Sequence, residues 1–219
     1  MTAIPVILIL SCLVILGSSR PQVAIRVVAI QGLFLGTLPL LRSLGHLTLP
    51  ILVLGISGIL FKGVMLPWLM QTVLRETGIQ RESTPYVTYG TSLLIGVMLL
   101  ALSAWLAVSL GLPQNTSLLL TATAMFLILV GLFLMISRRQ AIMQSLAYLV
   151  LENGVYALGV SISLAFPVIV ELGILLDIFV AVFLMGNLLF HLDREFQHTE
   201  VDRFNEPTAD LPKDSGKQL

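Results

Sequence analysis

The chain has 219 residues, of which 57% are hydrophobic and 11% charged, and its formal net charge is zero. A soluble fold of this size, which is normally about a quarter charged, could not cover so much apolar surface, and the charge balance does not indicate nucleic acid as a partner. A single cysteine, Cys12, excludes an internal disulfide. The composition predicts a protein whose solvent is the lipid bilayer.

Continuous apolar runs divide the chain into seven segments, and a helix needs about 20 mostly apolar residues to cross a bilayer. In chain order the runs are Ile4–Gly17, which is short, Val23–Leu41, Pro50–Leu74, Val87–Leu110, Ser117–Ile136, Ile142–Leu164 and Pro167–Phe190. Their apolar residues are continuous rather than alternating, which excludes the strands of a membrane barrel. No basic residue precedes the first run, so we expect a first transmembrane helix rather than a signal peptide. The sequence predicts an all-α, polytopic membrane protein with about seven transmembrane helices.

Basic residues give this bundle an orientation, because cytoplasmic loops are enriched in Lys and Arg. With seven helices, one side receives Arg42 alone, and Lys62 lies inside a helix. The other side receives Arg20, Arg26, Arg75, Arg81, Arg138, Arg139, Arg194, Arg203, Lys213 and Lys217. We therefore expect an inner (plasma) membrane protein with its N-terminus outside and its C-terminus in the cytoplasm.

Four ionisable residues fall inside the predicted helices: Lys62, Glu152, Glu171 and Asp177. A charged side chain at mid-bilayer costs about 2.5 to 3.5 kcal/mol on insertion scales, so such residues usually have a function. Helical rise places Glu152 and Asp177 roughly 15 Å from the ends of adjacent antiparallel helices, with Lys62 near the same depth and Glu171 closer to the outer surface. The four residues predict a proton pathway. The alternative is a static ion pair between Lys62 and one acid, which leaves the second mid-membrane acid without a partner.

No catalytic, cofactor-binding or metal-binding motif accompanies these residues. The sequence contains no HExxH, no CxxC, no phosphate-binding loop and no Ser-His-Asp candidate. We therefore expect no cofactor, no metal site and no enzymatic activity of the chain by itself.

Five segments carry a resemblance to a known family. They are Phe61–Pro67, Ser137–Gln140, Leu151–Gly154, Val170–Gly173 and Leu176–Val182. Together they resemble the hydrogenase-4 component E family, the membrane subunits of group 4 NiFe hydrogenases and formate hydrogenlyase-type complexes. The resemblance covers most of the chain, from about the third predicted helix to the seventh.

The last three predicted helices also resemble the K-type subunit of respiratory complex I. That subunit has a basic pair before its second helix and a membrane glutamate in each of its last two helices. Arg138 and Arg139 match the pair, Asp177 matches the second acid, and Glu152 lies about one turn later than the first. This likeness implies a four-helix part at 1–116, a three-helix part resembling the K-type subunit at 117–191, and a polar cytoplasmic tail at 192–219.

The resemblance implies a noncatalytic subunit of a membrane-bound hydrogenase complex. Its partners would be antiporter-like membrane subunits and a hydrogenase module, and its acids and Lys62 would belong to a lateral polar path coupling electron transfer to proton translocation. One alternative is a subunit of a multisubunit cation/proton antiporter, which has no redox partners. Another is a free-standing transporter or seven-helix receptor. Against it, no repeat relates the two halves, and the last helix lacks the lysine of a retinal protein.

Overall fold

The computed structural model of the protein describes residues 3–42, 49–77, 86–111 and 117–162, and all of them belong to one compact unit. The predicted seventh helix, Pro167–Phe190, and the predicted tail, 192–219, lie outside the described residues. All regular secondary structure in the described ranges is helical. The all-α prediction is therefore confirmed for this part of the chain.

The helices follow the first six predicted apolar runs, and their ends agree to within about a turn. The third run forms one uninterrupted helix whose middle is a π-helical segment between two α-helices. The elements are α1 (Ala3–Gly17), α2 (Pro21–Arg42), α3 (Leu49–Gly58), the π-helical segment (Ile59–Met65), α4 (Leu66–Thr77), α5 (Tyr89–Ser109), α6 (Leu118–Ser137) and α7 (Ala141–Ser161).

Four of these helices are long and apolar enough to cross a membrane, judged by length and composition. They are Pro21–Leu41, Ile51–Arg75, Tyr89–Ser109 and Leu118–Ser137. Helix α1 is also apolar but has only 15 residues. Helix α7 is not among the four, and it carries several polar side chains near its middle.

The surface of α5 shows the polarity of a membrane helix. Its large apolar side chains face outward, with Met98 and Trp105 exposed, whereas the small polar residues Ser92 and Ser103 are completely buried. The Ser103 hydroxyl donates to the Leu100 carbonyl oxygen at 2.8 Å, which satisfies it within its own helix. Apolar surface outside and small residues at helix contacts are the pattern that a lipid solvent favours.

The π-helical segment departs from α geometry where the Leu66 amide donates to the Phe61 carbonyl, five residues earlier. Pro67 follows immediately, and since it has no N–H it cannot donate to the Gly63 carbonyl as an α-helix requires. Helix α2 packs closely against this segment at Gly32. A Cβ atom on Gly32 would lie 2.5 Å from the Lys62 carbonyl carbon and 2.9 Å from the Gly63 nitrogen. The absence of a side chain therefore lets α2 approach the backbone beside Lys62.

Helices α6 and α7 form a tight antiparallel hairpin, and this packing fixes the face that α7 turns inward. A Cβ atom on Gly131 of α6 would lie 2.6 Å from the Leu151 Cβ and 2.7 Å from the Leu151 backbone nitrogen. Only glycine allows this approach without a shift of the α7 backbone. Glu152 follows Leu151 directly and is turned into the bundle.

Candidate functional site: a buried lysine–glutamate pair

Lys62 and Glu152 form an ion pair inside the bundle. The ammonium Nζ of Lys62 donates to Oε1 of Glu152, and the two side chains are only 4% and 1% exposed. Lys62 lies on the π-helical segment and Glu152 on α7, and each is near the middle of its helix. Two of the four ionisable residues selected from the sequence therefore meet. The other two, Glu171 and Asp177, lie outside the described residues.

Helix α7 presents two groups to the Lys62 ammonium, the carboxylate of Glu152 and the ring of Tyr156. One turn after Glu152, the Tyr156 ring lies with its centroid 5.5 Å from Nζ, within the range of a cation–π interaction. The second carboxylate oxygen, Oε2 of Glu152, is buried and has no hydrogen-bond partner among the described residues. A buried oxygen without a donor is energetically unfavourable, so Oε2 is an acceptor ready to take a proton or another hydrogen bond.

A second set of buried polar side chains, linked by hydrogen bonds, begins at the next residue of α7. The Asn153 side-chain amide donates to Oε1 of Gln31 on α2 at 3.4 Å. The Gln31 amide in turn donates to the Ser11 hydroxyl at 2.7 Å and contacts the Cys12 sulfur at 3.4 Å. Ser11 donates to the Leu8 carbonyl at 2.6 Å, which completes the chain on α1.

These groups form a polar band across the bundle, at about half the height of each helix. We define this polar band as Lys62, Glu152, Asn153, Gln31 and Ser11. All five side chains are buried, and the ion pair and the amide chain join at adjacent residues of α7. The band runs from helix to helix rather than along any one helix, so charge or protons exchanged along it would move sideways in a membrane.

Sequence reasoning did not select Gln31, Asn153 or Ser11. Uncharged polar residues are common in membrane helices, so none of them is conspicuous by residue type. One signal was present in the sequence: Asn153 directly follows a mid-membrane acid. Within the described ranges, no three His, Cys, Asp or Glu residues cluster in a way that could hold a metal ion.

Arg138 forms a different buried contact at the end of the bundle where α6 ends. It is completely buried, its Nη2 donates to the Leu16 carbonyl at 2.9 Å, and its guanidinium lies 4.6 Å from the centre of the Tyr89 ring. The exposed neighbour Arg139 lies 4.6 Å from the ring centre of Tyr86. The basic pair selected as a loop signal therefore joins the ends of α1, α5 and α6, and the sequence did not indicate this burial.

Comparison with known proteins identifies one relative over nearly the whole chain. The chain is similar to Uncharacterized protein Rv0085 of Mycobacterium tuberculosis, with 32% identity over 202 residues that cover 91% of each protein. This chain belongs to the family of that protein. No family model and no solved structure matches this chain. The alignment includes nearly the full length of both family members, so the family shares more than a single apolar helix. The name of the relative states no activity, and the proposal of a function therefore depends on the site.

Proposed function

We propose that this protein is a noncatalytic integral membrane subunit of a membrane-bound NiFe hydrogenase complex. In that role it contributes to the lateral polar path that couples electron transfer to proton translocation. The observation that carries the proposal is the Lys62–Glu152 ion pair, buried at the middle of a bundle in which four helices are long and apolar enough to cross a membrane. The segments that resemble the hydrogenase-4 component E family supply the identity of the complex.

The energetics of the pair favour a function over a purely structural role. Taking two charges out of water carries a large desolvation penalty, and a buried pair of similar-sized apolar residues is often at least as stable. An ion pair that is retained in such a place therefore needs a reason beyond stability. The polar band supplies one, because it continues the pair laterally across α7, α2 and α1.

The mechanism follows from the two oxygens of Glu152. Oε1 accepts from Lys62, whereas Oε2 is open to a proton donor. Protonation of Glu152 removes its negative charge and releases the Lys62 ammonium toward another carboxylate. Asp177, predicted at the same depth on the next helix, is the carboxylate we assign to that exchange. A switch of partners then moves charge sideways and draws the next proton into the path.

The proposal includes seven transmembrane helices in an inner membrane, with the N-terminus outside and the C-terminus in the cytoplasm. The described residues support the orientation, because Arg26 of α2 and Arg75 of α4 line one pocket, and Arg138 binds the end of α1. Basic residues thus collect at one end of the bundle, and an excess of Lys and Arg is typical of the end that faces the cytoplasm. A reporter fused after Lys217 should read cytoplasmic, whereas a label at 112–116 should react from outside. A periplasmic tail would reject this orientation.

The decisive experiment measures proton translocation per assembled complex in sealed vesicles. Glu152→Gln and Asp177→Asn remove the charge but keep the shape, so we expect the complex still to assemble, in lower yield for the less stable Glu152→Gln, and dye-linked hydrogen oxidation per assembled complex to be nearly normal. Coupled proton translocation should be lost. Glu171→Gln is the matched control, since this acid is predicted to lie closer to the outer surface and should matter least.

Three results would contradict the proposal. Wild-type translocation in the Glu152→Gln, Asp177→Asn double variant would exclude these acids from the path. Loss of assembled complex in proportion to the loss of activity would assign them a structural role. Purification with antiporter subunits but without a hydrogenase module would identify the alternative complex, a cation/proton antiporter.

A further inference from the structure

A pocket of about 150 Å³ opens between the first turns of α2 and the last turns of α4. Its lining consists of Gln22, Arg26, Gln71, Leu74 and Arg75. It lies toward the helix ends, whereas the polar band lies at the middle of the helices, so the two sites are separate. The pocket therefore requires an explanation that the proton path does not give.

The two helices contribute matching sets of donors. Gln22 and Arg26 are four residues apart on α2, and Gln71 and Arg75 are four residues apart on α4, so each set lies on one helix face. A guanidinium offers only donors, in the planar fork that suits carboxylates and phosphates, and a glutamine amide adds two more. Among the side chains that the structure describes, neither arginine forms an ion pair. Two positive groups that face one cavity repel each other, and an anion between them removes that repulsion.

We propose that this pocket binds the phosphate group of an anionic phospholipid. Basic pockets between membrane helices on the cytoplasmic side are suited to lipid headgroups. The surface next to the pocket favours a lipid over free phosphate. One and two turns beyond Arg26, Ile30 and Leu33 of α2 are exposed, and Trp68 of α4 is exposed on the turn before Gln71. Exposed apolar side chains continue both donor faces toward the middle of the helices, where acyl chains would lie.

Helical rise gives the length of this surface. From Gln22 to Leu33 the helix advances roughly 16 Å, about half the thickness of a hydrocarbon core. A headgroup in the pocket would therefore place one acyl chain along most of a leaflet against this face. Tryptophan is enriched at membrane interfaces, which agrees with the exposed Trp68 beside the donors. This inference needs only a membrane location, and it stands whether or not the chain belongs to a hydrogenase complex.

The test uses the full-length protein, purified in a neutral detergent, and three soluble probes. These are dihexanoyl phosphatidylglycerol, dihexanoyl phosphatidylcholine and inorganic phosphate, titrated by calorimetry at fixed ionic strength. We expect one phosphatidylglycerol site, with weaker binding of phosphatidylcholine and much weaker binding of phosphate. Each arginine near an anionic headgroup changes affinity about fivefold, so Arg26→Gln with Arg75→Gln should weaken binding about 25-fold.

The matched control removes two positive charges elsewhere, through Arg20→Gln with Arg139→Gln, and should leave phosphatidylglycerol binding unchanged. Arg26→Lys with Arg75→Lys keeps the charge but loses the planar forks, and intermediate affinity is expected. Equal weakening in the control would show that binding is a general effect of surface charge and would overturn the proposal. Inorganic phosphate binding as tightly as phosphatidylglycerol would overturn the lipid assignment. So would a pocket variant that binds lipid normally but loses a partner subunit, because the pocket would then be a protein contact.

Discussion

The Lys62–Glu152 pair allows a quantitative prediction through three variants: Lys62→Met, Glu152→Gln and the two combined. Each single change leaves one ionisable group in a site where both side chains are almost fully buried. Removing one partner of a buried pair costs about 3 to 5 kcal/mol, because the remaining charge is uncompensated. Removing both leaves no charge, and replacement of a buried pair by neutral residues of similar volume is often close to neutral.

The expected pattern is therefore strongly non-additive. Each single variant should lose about 3 kcal/mol or more of stability, whereas the double variant should lose less than either one. For Glu152→Gln the loss of stability comes from the missing charge, since a glutamine at 152 still offers an acceptor to Lys62 but no negative charge. Thermal unfolding of the purified protein in detergent, followed by circular dichroism, measures all four forms of the cycle under one condition.

The same cycle separates stability from function. If the pair only orders the bundle, the double variant should recover proton translocation together with its stability. If the pair exchanges charge, the double variant should recover stability and assembly but remain uncoupled. Additive losses of stability in the double variant would refute the reasoning, because they would show that the two side chains do not compensate each other.

Two further predictions concern packing at other points of the bundle. Gly32→Ala should destabilise the protein by about 1 to 3 kcal/mol, because the new methyl group meets backbone atoms of the π-helical segment. The control is Gly17→Ala, whose methyl group enters open space, and the unfolding temperatures of the two variants measure the difference. Arg138→Gln should lower the yield of folded protein, because it removes a buried bond to the Leu16 carbonyl, whereas Arg139→Gln replaces an exposed side chain and should change the yield little. Size-exclusion chromatography of the membrane extracts measures both yields, and equal losses would contradict the assigned difference in burial.

The helices and the central pair were accessible from the sequence for a simple physical reason. Apolar runs of membrane length are long and continuous, so six of them could be located to within about a turn. Charges inside such runs are rare because they are costly, which makes Lys62 and Glu152 conspicuous by residue type alone. Helical rise then gave their common depth, and the structure adds that they are in contact.

The remainder of the site depends on which helix faces meet, and residue type does not determine that. Gln31 becomes part of the polar band only because α2 approaches the π-helical segment at Gly32 and turns its amide toward Asn153. Arg138 is similar, since a basic residue at a helix end is usually solvated and its burial arises from contacts with α1 and α5. Pro67 by itself predicts only a bend in its helix. The π-helical segment before it could not be predicted, because a sequence does not specify how a helix redistributes its hydrogen bonds.

The π-helical segment also determines how this protein tolerates changes in length. A π turn behaves as an α-helix that has accommodated an additional residue, with the backbone bulging locally. Loss of one residue between Ile59 and Met65 would therefore let the helix return to α geometry and leave the faces of α3 and α4 in nearly the same relation. Loss of one residue in the regular part of α4 before Gln71 would instead rotate the Gln71–Arg75 face relative to Lys62 by about 100°. Among family members, single-residue deletions in this helix should therefore fall within Ile59–Met65, whereas other insertions and deletions accumulate in the connections between helices.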